Sequence, residues 1–212
     1  MSRKVAVVLL NLGGPDAPQS VQPFLFNLFF DPAIIRVPTP LRWLIATLIS
    51  KRRAPTAREI YEHLGGKSPL LELTQAQAFE LENVLNSAST ERASPFVAEG
   101  VRPIAEASRP EQGQFKCFIA MRYWHPMSEQ TAQDVKAWGA DEVLLLPLYP
   151  QFSTTTSASS FMAWERAAKT AGLEVPTKRV GCYFAQPDFI ASHSSLLQQA
   201  YAKASVYGNP RI

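Results

Sequence analysis

The feature that most restricts this chain is a short, nearly unbroken apolar run, KVAVVLLNL at residues 4–12, cut off at once by GGPD. A strand with one wet face alternates polar and apolar residues, whereas a run apolar at successive positions must be covered on both faces. A second run, ADEVLLLPLYP at 140–150, has the same character. Around them lie segments with apolar residues at three- and four-residue spacing, the clearest being SPLLELTQAQAFELENVLN at 68–86. Strands alternating with such helices predict an α/β fold, a doubly wound parallel sheet covered on both sides.

Further helices are expected at 20–35, at 41–53 (LRWLIATLISKRR), and at 56–66, where Gly65 and Gly66 give a stop signal. Others are expected at 128–139 opened by Ser128, at 157–172 closed by Gly172, and at 187–205. FKCFIAMRY at 115–123 reads as a strand, and TKRVGCYF at 177–184 is a strand candidate. Residues 87–114 are rich in Ala, Ser, Pro, Glu and Arg without periodicity, which reads as a surface insertion or flexible loop. The closing YGNPRI reads as a turn followed by the first two residues of a strand. The expectation is therefore the front part of a longer protein.

The N-terminus starts like a secretory signal, with basic residues and an apolar run. Asn11, Gly13, Gly14 and Pro15 break that run before any small-residue cleavage site. The longest other apolar stretch, LRWLIATLI, is about half the ~18–20 residues of a spanning helix. A net charge of +3 without a clustered basic stripe argues against nucleic acid as a partner. Cys117 and Cys182 are isolated, with neither a disulfide framework nor metal-ligand spacing, which fits a reducing, cytoplasmic location.

Ligands of such sheets bind beyond the carboxyl ends of the strands. Three segments follow strands here: NLGGPD, MRYWHPM and YPQFSTTTSASS. The first lacks the spacing of a phosphate loop and reads as a tight turn. The second sets Arg122, Tyr123, Trp124 and His125 side by side. The third has seven hydroxyls in its last eight residues, either a helix start with solvated neighbours or a polar rim over a ligand. Lys51, Arg52 and Arg53 adjoin the apolar LRWLIATLI. That combination makes an amphipathic lip, suited to a flat apolar ligand bearing carboxylates or to an anionic membrane surface.

Four segments in order, LLNLGGPD, KRRAPTAREIYEHLGGKSPL, FIAMRYWHP and LLLPLYPQFSTTTSASS, together resemble the first half of a ferrochelatase. The segment at 87–114 is longer and more polar than that pattern. The resemblance implies a chelatase-like fold of two similar doubly wound domains, with an N-terminal domain over 1–170 and the start of the second at 171–212. It implies a lyase that inserts ferrous iron, as substrate, into a porphyrin (protoporphyrin IX or coproporphyrin III) during haem biosynthesis.

Residue by residue, the resemblance implies that Arg52, Arg53, Tyr61 and Ser68 match porphyrin-contacting positions, that Leu12 matches one packed on the macrocycle, and that Arg122 and Tyr123 match a strand-end pair facing the cleft. Ser153 joins them from the hydroxyl-rich loop. His125 is a structural residue or a proton acceptor, and Tyr123 is a second weak catalytic candidate. His63 reads as solvated, and His193 is assigned no role. Thr154 stands where some members carry a cluster-ligating cysteine; a hydroxyl cannot replace a thiolate, so no [2Fe–2S] cluster is expected. No metal ligand is assigned, because none of the three histidines is followed by Gly as in the family's metal-facing motif. The chain alone is therefore expected to be inactive. Alternatives are a non-catalytic porphyrin- or haem-binding module or fragment, a cobalt-inserting relative, and a peripheral membrane module.

Overall fold

The computed structural model describes residues 2–90, 113–208 and 210. Strand β1 (Arg3–Asn11) is followed by a 3-10 turn (Pro18–Ser20) and helices α1 (Val21–Phe29), α2 (Thr39–Glu62) and α3 (Leu70–Thr90). Then come β2 (Gly113–Met121), α4 (Ser128–Trp138), β3 (Glu142–Pro147), α5 (Ser157–Ala171), β4 (Thr177–Arg179) and α6 (Pro187–Ser205). The four strands form one all-parallel sheet in the order β2-β1-β3-β4.

The continuous apolar run of β1 is explained by its central place. Ala6, Val8 and Leu10 pack with Ala132 and Val135 of α4 and with Phe161 and Trp164 of α5. Val7 and Leu9 face the other way, onto Ala78, Leu81 and Leu85 of α3. Leu9 and Leu10 are each 1% exposed, a burial worth about 1.5–3 kcal/mol per side chain.

At the outer edge of β2, where no strand pairs among the described residues, α3 supplies the hydrogen-bond partners. The Cys117 amide donates to the Glu82 carboxylate at 2.7 Å. The Phe115 amide donates to Asn86 Oδ1, and Asn86 Nδ2 donates back to the Phe115 carbonyl, both at 3.0 Å. An open edge would otherwise offer these groups to another chain.

Several boundaries differ from the sequence reading. The helices expected at 41–53 and 56–66 are one helix, α2, with Pro55 inside it. Pro55 removes one amide, but Lys51, whose carbonyl loses its partner, is exposed and can be hydrated. The helix expected at 20–35 ends at Phe29, because Asp31 precedes Pro32 and folds the chain back. Its Oδ1 accepts the Ala33 amide at 2.8 Å, and its carbonyl accepts those of Ile34 and Ile35. Ser128 is the first buried residue of α4 rather than its cap, a place taken by Met127 without a side-chain bond. Of TKRVGCYF, only Thr177–Arg179 pairs with the sheet. Residues 87–90 belong to α3 and 113–114 to β2; the rest of the expected insertion, and the final Arg-Ile, lie outside the described residues.

Helix α6 has no buried residue among those described, and Ile190, Leu197 and Tyr201 form an exposed apolar line along it. No described helix is long and apolar enough to cross a membrane.

Candidate functional site

The turn after β1 is the floor on which two other segments dock. The Asn11 carbonyl accepts the Arg122 amide at 2.8 Å, and the Leu12 carbonyl accepts the Tyr123 amide at 3.0 Å. These bonds carry the β1–β2 pairing past the ends of both strands. Gly13 has φ +84°, and a Cβ there would lie 3.0 Å from the Trp124 nitrogen. A Cβ at Gly14 would lie 2.4 Å from Ser68 Oγ. Both glycines are thus required by close approach, one to MRYWHP and the other to GGKSP. The Ser68 amide donates to the Pro15 carbonyl at 2.8 Å, which fixes that second docking.

Beside this floor lies a buried polar cluster centred on Asp31, whose side chain is 1% exposed. Arg122 Nη2 donates to its Oδ2 at 2.7 Å, the Tyr123 hydroxyl donates to the same oxygen at 2.8 Å, and the Ser159 hydroxyl donates there as well. Arg122 Nε donates to Ser159 Oγ at 2.7 Å. Asn27 Nδ2 holds the Tyr123 carbonyl. Burial raises the Asp31 carboxyl, but hydrogen bonds from Ser159 and the Ala33 amide, the Arg122 charge and the Tyr123 hydroxyl outweigh it, leaving the group below its ordinary value. Burial first, then the Asp31 hydrogen bond and charge, push the Tyr123 phenol far above its ordinary value, so it stays protonated at neutral pH.

Helix α2 supplies the lip. Ala46, Ser50 and Ala54, at four-residue spacing, are buried, a line of small side chains that lets α1 pack closely. Tyr61 continues that face; it is half-buried, and burial raises its phenol. Arg53 flanks it, its guanidinium 5.9 Å from the Phe29 ring of α1, within range of a cation–π contact. Arg52 points elsewhere, in line with the exposed Leu41, Leu44 and Leu48. Among the described residues neither arginine makes an ion pair.

Ser153 Oγ shares a hydrogen bond with Thr155 Oγ1, and Thr155 in turn offers its carbonyl to the Tyr123 hydroxyl at 3.4 Å. Thr154 between them is exposed. His125 is exposed, set edge-on against Trp124, and lines a depression of about 700 Å³ with Asp16, Leu71, Pro126 and Met127. There the Ser20 hydroxyl holds the Asp16 carboxyl below its ordinary value, against the opposing effect of burial.

With this geometry in view, comparison with known proteins is decisive. A ferrochelatase family model matches residues 4–211. The chain belongs to the ferrochelatase family. It is 46% identical over 213 residues to a ferrochelatase of Wolbachia sp. subsp. Brugia malayi (strain TRS), covering 99% of this chain and 62% of that protein. It is 46% identical over 215 residues to a ferrochelatase of Hyphomonas neptunium (strain ATCC 15444), covering 100% of this chain and 53% of that protein. It is 45% identical over 212 residues to one of Caulobacter vibrioides (strain NA1000 / CB15N), covering 100% and 54%. The chain thus spans between 53% and 62% of the length of these curated relatives.

For the ferrochelatase-like residues singled out from sequence, the fold gathers Leu12, Ser68, Arg122 and Ser153 around the ends of β1, β2 and β3. Tyr123 was expected to face the cleft, yet it is 0% exposed with its hydroxyl engaged by Asp31, so it stands under the strand ends as support. Arg52 and Arg53, both expected to contact the ligand, diverge by about 100° as successive residues of a helix, and the Arg53 guanidinium lies over the Phe29 ring of α1. His63 and His193 are exposed, and His193 contacts the Phe189 carbonyl and ring on its own helix. Among the described residues no group of three or more His, Cys, Asp or Glu could hold a metal ion. Asp31, Asn27 and Ser159 were missed by sequence reasoning. The available signals were the aspartate before Pro32, which reads only as a turn, and the place of Ser159 among the seven hydroxyls of YPQFSTTTSASS.

Proposed function

We propose that this chain forms the porphyrin-binding face of a ferrochelatase, the enzyme class that inserts ferrous iron, as substrate, into a porphyrin. The observation that carries this reading is the docking of GGKSP and MRYWHP on the NLGGPD turn through Gly14 and Gly13, which unites three family segments at the strand ends. In this reading Leu12 packs against the macrocycle and Ser68 offers a hydroxyl. Arg53 takes a propionate through two parallel N–H donors, a geometry that suits a guanidinium. Protoporphyrin IX and coproporphyrin III both carry such carboxylates.

Metal insertion also releases two pyrrole protons to a base. Tyr123 cannot accept them while its phenol is held protonated. His125, exposed beside Trp124, keeps the weaker role of candidate acceptor. Since no histidine here is followed by Gly, we propose that these 212 residues alone bind porphyrin without inserting iron. The proposal includes no [2Fe–2S] cluster, because Thr154 stands at the thiolate position.

The exposed line Leu41, Leu44 and Leu48, ending in Arg52, supports a peripheral contact with an anionic membrane surface as a second feature of the same lip. The binding reading is tested by absorbance titration of the chain with mesoporphyrin and by an iron-insertion assay. Saturable binding without insertion is expected, weakened at least several-fold by Arg53→Ala. Unchanged binding by that variant would remove the propionate site from α2.

A further inference from the structure

Asn11, the last residue of β1, has both ends of its side-chain amide engaged. Its Oδ1 accepts the Leu12 amide at 2.8 Å, and its Nδ2 donates to Thr74 Oγ1 of α3 at 3.0 Å. The Thr74 hydroxyl donates in turn to the Leu70 carbonyl at 2.7 Å, and the Leu70 amide donates to Ser68 Oγ at 3.3 Å. With the Ser68 amide on the Pro15 carbonyl, these bonds run from Leu12 through α3 and back to the NLGGPD turn. Their directions agree. Thr74 has one hydroxyl proton, already given to Leu70, so toward Asn11 it can only accept.

The centre of this loop is closed to water. Asn11 is 9% exposed and Thr74 is 0% exposed, although 63 residues separate them in the chain. A hydrogen bond so buried is stronger than a wet one and costly to leave unmade. Valine has the shape of threonine, so what Thr74 adds to the packing of α3 is its hydroxyl. At the two ends of the loop stand Leu12 and Ser68, both half-buried. The Leu12 amide is held by Asn11 and its carbonyl by the Tyr123 amide, so its backbone is fixed on both sides. Ser68 Oγ accepts the Leu70 amide, and its own proton has no acceptor among the described residues. Leu12 is left as an apolar contact and Ser68 as a donor, at a separation that the loop sets.

We infer that Asn11 and Thr74 are positioning residues whose buried hydrogen bond sets where Leu12 meets the ring of a bound porphyrin, relative to Ser68. This rests on the porphyrin-binding reading above and concerns the ring itself, whereas that reading gives a carboxylate to Arg53. A face held in place before binding loses little freedom on binding. Breaking the pair should therefore weaken every ligand that carries the ring, and should act through Leu12, the residue that Asn11 holds directly.

The test uses the 212-residue chain with mesoporphyrin and its dimethyl ester, titrated by absorbance. Thr74→Val should weaken both ligands about fivefold, the scale of one net hydrogen bond. Thr74→Ser keeps the hydroxyl and should stay within about twofold of the unsubstituted chain. In a Leu12→Ala background, Thr74→Val should have less than about a twofold further effect. Four results would overturn the positioning role: a loss confined to the diacid, a loss undiminished without Leu12, a Thr74→Ser chain as weak as Thr74→Val, or no loss. Each leaves the binding reading standing, since the unsubstituted chain still binds. If the unsubstituted chain bound neither ligand, that reading would fall and this inference with it. Should Thr74→Val not fold, as judged by circular dichroism, Thr74→Ala against Thr74→Ser isolates the hydroxyl. Thr74→Ala should then bind both ligands about threefold more weakly than Thr74→Ser, and equal affinities would overturn the proposal.

Discussion

A single methyl group added at Gly14 should disrupt the floor of the site, and the structure sets the size of the effect. Alanine would place its Cβ 2.4 Å from Ser68 Oγ and 2.5 Å from Ser68 Cβ, about an ångström inside ordinary contact. Ser68 cannot step back freely, since its amide is bonded to Pro15 and its hydroxyl accepts the Leu70 amide at the start of α3. Relief therefore costs about 1–3 kcal/mol of overpacking plus a backbone hydrogen bond worth about 1 kcal/mol. A total of about 2–4 kcal/mol should lower the melting temperature by roughly 5–15 °C in a chain of this size. Thermal unfolding followed by circular dichroism measures it. Ser68→Gly removes both clashing atoms, so in that background Gly14→Ala should cost less than about 1 kcal/mol. An unchanged melting temperature for Gly14→Ala, or an equal loss in both backgrounds, would refute the docking of GGKSP on this turn.

Three further outcomes follow from other parts of the molecule. Replacing Asn86 with Ala and Glu82 with Gln should free the outer amides of β2 and raise self-association, read by light scattering; a chain that stayed as soluble would show the guard to be dispensable. Burial, then the Glu82 charge, push the Cys117 thiol up to about 12, whereas Cys182 is exposed, so a disulfide reagent at about pH 8 should modify one thiol per chain quickly and the other slowly. The Asp31 carboxyl lies below its unfolded value of about 3.9, so its stabilisation is present above that pH and lost as pH falls through the lower folded value. Urea midpoints should thus fall less between about pH 5 and pH 3 for Asp31→Asn than for the unsubstituted chain.

What could be read beforehand followed locality. The apolar runs of β1 and β3 carry their burial in their own composition, so the central strands and the sheet class were legible. The NLGGPD and GGKSP segments were legible as motifs, but not that Gly14 exists to admit Ser68, since nothing local encodes a contact 54 residues away. The segments 41–53 and 56–66 were read as two helices, although the exposed Lys51 carbonyl tolerates Pro55 within the single helix α2. Tyr123 shows the same limit in the site itself. A tyrosine at a strand end can face solvent or the interior, and the choice is made by Asp31, which enters from another part of the chain. Glu82 and Asn86 carry no local sign of their role, which is set by the edge of β2, 35 and 29 residues away from them in sequence.

The account depends on a carboxylate-reading porphyrin face, and one titration tests it most directly. Mesoporphyrin and its dimethyl ester are added to the chain and to its Arg53→Ala variant, with the Soret absorbance followed to saturation. The account predicts saturable binding that favours the diacid, and loss of that preference in the variant. Failure to saturate, or equal affinity for diacid and ester in both proteins, would contradict it.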